Sequence, residues 1–169
     1  MNRFEKVSRN EYELHTTDFR PSNGFIGDFL SYDNLPLPRR GTKGSAGYDF
    51  FAPASFKLKV GETVTIPTGI KCKLDEGRVL FALPRSGHGF KYRIQLDNTV
   101  GVIDQDYYNN PNNEGHIIIK ITNDGKHNKT LIINKGDAFA QGIILRYELA
   151  EEDEVTTSRI GGFGSTSNN

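Results

Sequence analysis

The sequence predicts an all-β domain, and three observations carry that expectation. Glycine is abundant, at 18 of 169 residues, and turn signals recur at short intervals from about Gly41 onward. Between the turns run short stretches with the period-two alternation of half-buried strands. Other stretches are continuously β-branched, as in strands buried on both faces.

In chain order, residues 1–40 form a polar N-terminal extension, with one helical turn expected to carry Phe4, Val7 and Tyr12. Leu35-Pro36-Leu37-Pro38-Arg39-Arg40 reads as an extended lead-in strand or arm, because proline favours extended backbone before it. The β domain is expected over 41–150. Its turns are Val60-Gly61-Glu62, Asp75-Glu76-Gly77, Asn123-Asp124-Gly125 and Lys135-Gly136-Asp137. Ile70, Cys72 and Leu74 alternate with Lys71 and Lys73, and Val79–Leu83 is a further strand. His116–Thr122, Lys129–Ile133 and Gly142–Tyr147 are β-branched and predict buried strands. Many short strands with glycine-marked turns imply a sandwich, jelly roll or barrel. Residues 151–169 follow as a C-terminal arm, expected to be flexible because ordering its glycines costs entropy and buries little.

Composition removes several classes of function. Lys+Arg and Asp+Glu balance at 21 each, so no direct nucleic-acid binding is expected. Mean hydropathy is -0.54, and no apolar run approaches the ~18 residues of a membrane span. Met1–Lys6 is not followed by an apolar stretch, so a secretory signal is not expected. The single cysteine excludes an internal disulfide framework and fits a reducing compartment, with a cytoplasmic location expected. His15, His88, His116 and His127 are scattered and share no ligand spacing with Cys72, so no zinc site is expected. Cys72 lies on the apolar side of its strand and reads as buried filler. With no Gly-x-Ser-x-Gly elbow and no phosphate-binding Gly-Lys-Thr loop, enzyme chemistry would rest on Asp, Arg, Tyr and loop backbone.

Four stretches are more polar than a simple turn requires. Ser45–Phe50 puts Asp49 inside an apolar strand, where an unpaired carboxylate is costly. Pro84-Arg85-Ser86-Gly87 ends a strand with a cation, a hydroxyl and flexible backbone, a combination suited to phosphate. Asn98–Tyr107 looks like a hairpin holding an amide, a carboxylate and an aromatic ring. Gly136–Gln141 sets a glutamine in an otherwise apolar strand. Each alone is readable as a turn or a solvated side chain. All four, together with the Arg/Phe/Ser/Thr tail, are not.

In this order, AGYDFFA (46–52), PRSG (84–87), GVIDQDY (101–107), GDAFAQG (136–142) and RIGGFGST (159–166) resemble the five motifs of the trimeric dUTPases, the dUTP diphosphatases. The resemblance implies a β jelly roll or distorted barrel, a homotrimer with shared sites, Mg²⁺ dependence, and hydrolysis of dUTP to dUMP and pyrophosphate. It assigns Asp104 to the water that attacks the α-phosphorus, and Tyr107 to packing on the deoxyribose. Asn98 and the main chain through Gly101 and Ile103 would read the uracil edge. Arg85, Ser86 and Gly87 would grip the triphosphate, with Gln141 near the α-phosphate. Asp49 would orient water on the Mg²⁺. From the arm, Arg159 would reach the γ-phosphate and Phe163 would stack on uracil, while Gly164, Ser165 and Thr166 would donate to phosphates.

The chain departs from that pattern in three places. Only Ile160 and Gly161 separate Arg159 from Gly162-Phe163; Tyr108–Gly115 forms an extended polar hairpin; and residues 1–40 lengthen the N-terminus. Two rival functions remain: a dCTP deaminase, or bifunctional deaminase, on the same fold, and a nucleotide-binding regulatory trimer. Deamination calls for a catalytic glutamate, whereas GVIDQDY supplies Asp104 and Tyr107.

Overall fold

The computed structural model describes residues 1–19, 25–125 and 128–156. Its strands are β1 (Arg3–Lys6), β2 (Phe25–Ile26), β3 (Arg39–Arg40), β4 (Tyr48–Phe51), β5 (Ser55–Leu58), β6 (Thr63–Pro67) and β7 (Ile70–Lys73). There follow β8 (Arg78–Pro84), β9 (Ile94–Leu96), β10 (Gly101–Ile103), β11 (Ile118–Asn123), β12 (Leu131–Ile133) and β13 (Ala138–Arg146). Helix α1 (Arg9–Phe19) follows β1, and α2 (Ser86–Tyr92) follows β8.

All pairing is antiparallel. The order β10-β8-β13-β4-β3 makes a five-stranded sheet; β6-β11-β9 and β12-β5-β2 make two smaller ones; β1 pairs with β7. Strands adjacent in space are mostly distant in sequence, the wiring of a jelly roll. The sheets stay open, and no closed barrel forms among the described residues.

The core explains the alternation. Phe50, Phe56 and Phe139 are fully buried, and the last two meet edge to face with centroids 6.3 Å apart. On β12, Leu131 and Ile133 point inward while Ile132 is exposed. A Cβ on Gly142 would come within 2.9 Å of Leu80 Cδ1 and Phe50 Cε2, so only glycine lets the core close over β13.

Residues 1–40 differ from the helical turn expected of them. Phe4 lies on a strand, opposite Cys72, and meets Phe50 edge-on at 5.8 Å. The helix begins later, where Ser8 Oγ accepts the Glu11 N–H at 3.1 Å as an N-cap. Val7, Tyr12 and Leu35 form a second small core. It closes against Gly69 (φ +72), where a Cβ would lie 2.6 Å from Leu35 Cδ1.

Tyr108–Gly115 is likewise no extended hairpin but a compact turn. The buried Asn110 side chain donates to the Tyr107 carbonyl (2.9 Å) and accepts from the Asn112 and Asn113 amides (3.1 and 3.2 Å). Asparagine side chains thus replace the partners a ladder would have supplied.

Candidate active site

The predicted polar residues fall into two hollows. The first, of about 560 Å³, is lined by Asn98, Gly101, Ile103, Asp104 and Tyr107. Its walls come from two sheets, because β9 pairs with β11 while β10 pairs with β8. The expected hairpin is therefore a crossing between sheets, joined by one bridge from Leu96 to Thr99. Thr99 turns the chain with φ +66, and the Val100 amide donates to the Asn98 carbonyl at 2.7 Å. Gly101 permits the close approach to β8, since a Cβ there would lie 3.1 Å from Ala82 Cβ.

Asp104 follows β10 directly, and its carbonyl accepts the Tyr107 N–H at 3.2 Å, closing one tight turn. That turn puts the carboxylate and the Tyr107 ring on the same hollow. Tyr107 is buried; its hydroxyl donates to the His116 carbonyl (2.9 Å) and accepts from Asn113 Nδ2 (2.8 Å).

The second hollow, of about 830 Å³, holds Asp49, Arg85, Ser86, Gly87 and Gln141. Arg85 links β8 to α2, with Nε 3.1 Å from Asp49 Oδ1 on β4 and Nη1 donating to the Ala138 carbonyl at 3.3 Å. Gln141 is the register partner of Asp49, and its Nε2 donates to the Pro84 carbonyl at 3.0 Å. Gly47 makes room for that glutamine, since a Cβ there would lie 2.6 Å from Oε1. Ser86 and Gly87 open α2, where first-turn amides have no partner within the helix. Sequence reasoning missed Lys91 and His88, which also line this hollow. Burial lowers the His88 pKa. The signal was there: both follow PRSG at helical spacing.

Asp49 is the one carboxylate lining the second hollow among the described residues. A single carboxylate already ion-paired to an arginine cannot by itself cage a metal. It does fit a Mg²⁺ that keeps its waters and takes its other oxygens from phosphates.

The histidines are not all scattered. His15 and His116 converge on Glu11: His15 Nε2 lies 2.9 Å and His116 Nδ1 3.1 Å from Glu11 Oε1. His116 Nε2 accepts the Gly69 N–H at 2.8 Å, so its proton sits on Nδ1 and is donated to Glu11. Neither ring nitrogen of His116 keeps a lone pair for a cation. Burial pushes the His116 pKa down to about 3 and the Cys72 thiol up to about 12, which leaves the thiol inert. His127, Arg159, Phe163, Gly164, Ser165 and Thr166 lie outside the described residues. No helix among the described residues is long and apolar enough to cross a membrane.

Comparison with known proteins gives concordant matches. The dUTPase family model matches residues 33–167. The deoxyuridine 5'-triphosphate nucleotidohydrolase of Lactococcus lactis subsp. lactis is 42% identical over 134 residues, covering 78% of this chain and 88% of the relative. That of Coxiella burnetii is 41% identical over 143 residues, covering 80% and 89%. The crystal structure of a dUTPase from Streptococcus mutans superposes with a TM-score of 0.61 at 38% identity, over 75% of this chain and 96% of that one. A dUTPase from phage phi11 of S. aureus shares the fold, with a TM-score of 0.62 at 22% identity over 93% and 97% of the chains.

Proposed function

The chain belongs to the dUTPase family and hydrolyses dUTP to dUMP and pyrophosphate, and we propose that it does so at sites shared between the subunits of a homotrimer. One observation carries the proposal. The nucleoside-type hollow and the phosphate-type hollow have no lining residue in common, although base and phosphates are contiguous in one nucleotide. Bringing the second hollow of one subunit to the first hollow of another supplies both halves. The arm of a subunit would complete the site with Arg159 and Ser165 and Thr166 on phosphates, Gly164 as a backbone donor, and Phe163 over the uracil.

In this reading, uracil is read by Asn98 and the main chain through Gly101 and Ile103. Leaving those donors and acceptors unpaired is what disfavours cytosine. The Tyr107 ring packs on the deoxyribose, where a 2′-hydroxyl would clash. Asp104 accepts a proton from, and orients, the water that attacks the α-phosphorus in line. Arg85 and Arg159 neutralise the charge that builds on the phosphate oxygens, aided by Ser86, Gly87 and Gln141. Asp49 would hold water on a bound Mg²⁺, which supplies further charge neutralisation. No glutamate lines the first hollow among the described residues, in keeping with hydrolysis rather than deamination. A cytoplasmic location accords with the single buried thiol.

Subunit mixing tests the shared site. Asp104→Asn should lose ~10²–10⁴-fold in turnover while still binding dUTP; Arg85→Ala should be nearly inactive for want of charge on the phosphates. If the two residues serve one site from different subunits, exchanging the inactive parents restores pyrophosphate release. Confirmed exchange without recovery assigns both residues to the same subunit, and near-normal turnover by Asp104→Asn removes it from catalysis.

A further inference from the structure

We propose that the N-terminal segment is a positioning element of the active site: Glu11, acting through His116, holds the Tyr107 ring and thereby sets how strictly a ribonucleotide is rejected. The proposal rests on the reading of Tyr107 as the deoxyribose wall.

The sequence Ser8-Arg9-Asn10-Glu11 has the spacing of a capping box, in which the glutamate side chain returns to the N-cap amide. Ser8 plays its part, but Glu11 does not. The Ser8 amide instead donates to Glu114 Oε2 at 2.8 Å, from the turn that follows Tyr107. Glu114 therefore caps α1 from another part of the chain, and Glu11 turns inward with its side chain about nine-tenths buried. A carboxylate placed there is costly unless it is partnered. Its partners are His15 and His116.

His116 is fully buried and gripped at both ring nitrogens, by Glu11 at 3.1 Å and by the Gly69 amide at 2.8 Å. That grip fixes its main chain. The His116 carbonyl accepts the Tyr107 hydroxyl at 2.9 Å, and Asn113, hydrogen-bonded to that hydroxyl, also donates to the same carbonyl at 3.4 Å. The path from helix to nucleoside hollow is thus three contacts long: Glu11 to His116, His116 to Tyr107, Tyr107 to the cavity.

Outer ties hold the same turn to the N-terminal segment and to β7, the strand that pairs with β1. Tyr108 donates to Glu5 at 2.7 Å, and Lys71 reaches both Asn109 (2.7 Å) and Glu114 (3.5 Å). A purely structural role would need these contacts only for stability. A positioning role predicts more, because a 2′-hydroxyl differs from hydrogen by one oxygen atom, and a small shift of the ring would admit it.

The test measures kcat and KM for dUTP and for UTP on the full chain, with a thermal melt of each variant. Glu11→Ala should lower the dUTP/UTP ratio of kcat/KM by roughly tenfold, a fraction of the ~100-fold that a full ångström of misplacement costs. The change should come from a higher KM for dUTP and a gain on UTP. Glu11→Gln keeps an oxygen that accepts the His116 proton, and should restore most of the ratio. Glu114→Ala loosens the tie from outside the core, and should shift the ratio the same way by less. A folded Glu11→Ala protein with the wild-type ratio overturns the proposal, as does a lowered melting temperature with the ratio unmoved. Should Glu11→Ala not fold, the ratio in Glu114→Ala decides. Tyr107→Ala tests the reading beneath: an unmoved ratio there overturns both. A moved ratio in Tyr107→Ala alone rejects only the positioning role.

Discussion

Gly101→Ala perturbs the hollow proposed to hold the nucleoside by one methyl group. Gly101 pairs with Ala82 across β10 and β8, and its new Cβ would lie 3.1 Å from Ala82 Cβ and 3.8 Å from Asn98 Nδ2. Carbon atoms settle at about 3.5–4.0 Å, so the strands must part by roughly half an ångström. β8 is paired along its length with β13, whereas β10 is three residues long, so β10 moves. Overpacking of this kind costs about 1–3 kcal/mol of stability. Half an ångström at a binding wall should cost about tenfold in kcat/KM, given ~100-fold for a full one. The assay is pyrophosphate release from dUTP, alongside a thermal melt. Leu58→Val, in the fully buried core of β5, should cost about 1 kcal/mol while leaving kcat/KM unchanged. If Gly101→Ala melts and turns over like the parent, the close approach is no constraint. If it loses stability yet keeps kcat/KM, Gly101 is packing and not a wall of the site.

Three further outcomes are expected. Cys72 should resist thiol reagents in the folded protein and react on unfolding, because burial holds its pKa near 12; rapid modification at neutral pH with the fold intact would contradict this. Burial holds His116 at a folded pKa of about 3 against an ordinary imidazole value of 6.5, so the folded chain binds fewer protons, and its contribution to stability, present above pH 6.5, is lost as the pH falls toward 3. The slope is at most about 1.4 kcal/mol per pH unit. His15 lowers that pKa further while Glu114 opposes it, and Glu11, whose own pKa burial raises, offsets part of the slope. Melts across that range should be flatter for His116→Gln. Deleting 159–169 should leave a trimer that turns dUTP over at least ~10²-fold more slowly, the usual cost of losing even one donor to transition-state charge; full activity would remove the arm from the site.

Where local chemistry decides the conformation, the sequence was legible. Gly61, Gly77 and Gly136 each stand at a predicted turn with φ of +82, +68 and +88, and β7 buries Ile70 and Cys72 while exposing Lys73 as its alternation requires. The motif residues also fall into two groups in space, Asp104 with Tyr107 and Arg85 with Asp49 and Gln141. The failures have physical causes. The spacing from Phe4 to Val7 is helical, but pairing with β7 outweighs so short a stripe. The true helix start carried a readable signal in Ser8 and Glu11, yet nothing local shows that Glu11 meets His116, 105 residues away. At Tyr108–Gly115 side-chain bonds from Asn110 replace the ladder of a hairpin, a difference that local propensity does not register.

The crossing at Asn98–Val100 has a thermodynamic consequence. Because β9 and β10 are neighbours in the chain but members of different sheets, a ligand lodged in the hollow between them would touch both. Such a ligand acts as a brace: sliding the sheets apart must first expel it. Occupancy at 100 times the dissociation constant adds about 2.7 kcal/mol to every opening that separates the sheets, and nothing to openings confined within one. Amide exchange would therefore slow selectively on bound dUMP. The protected set should follow the line where the two sheets meet, slowing exchange along β10 and β9 while leaving the far edge at β3 at its ligand-free rate.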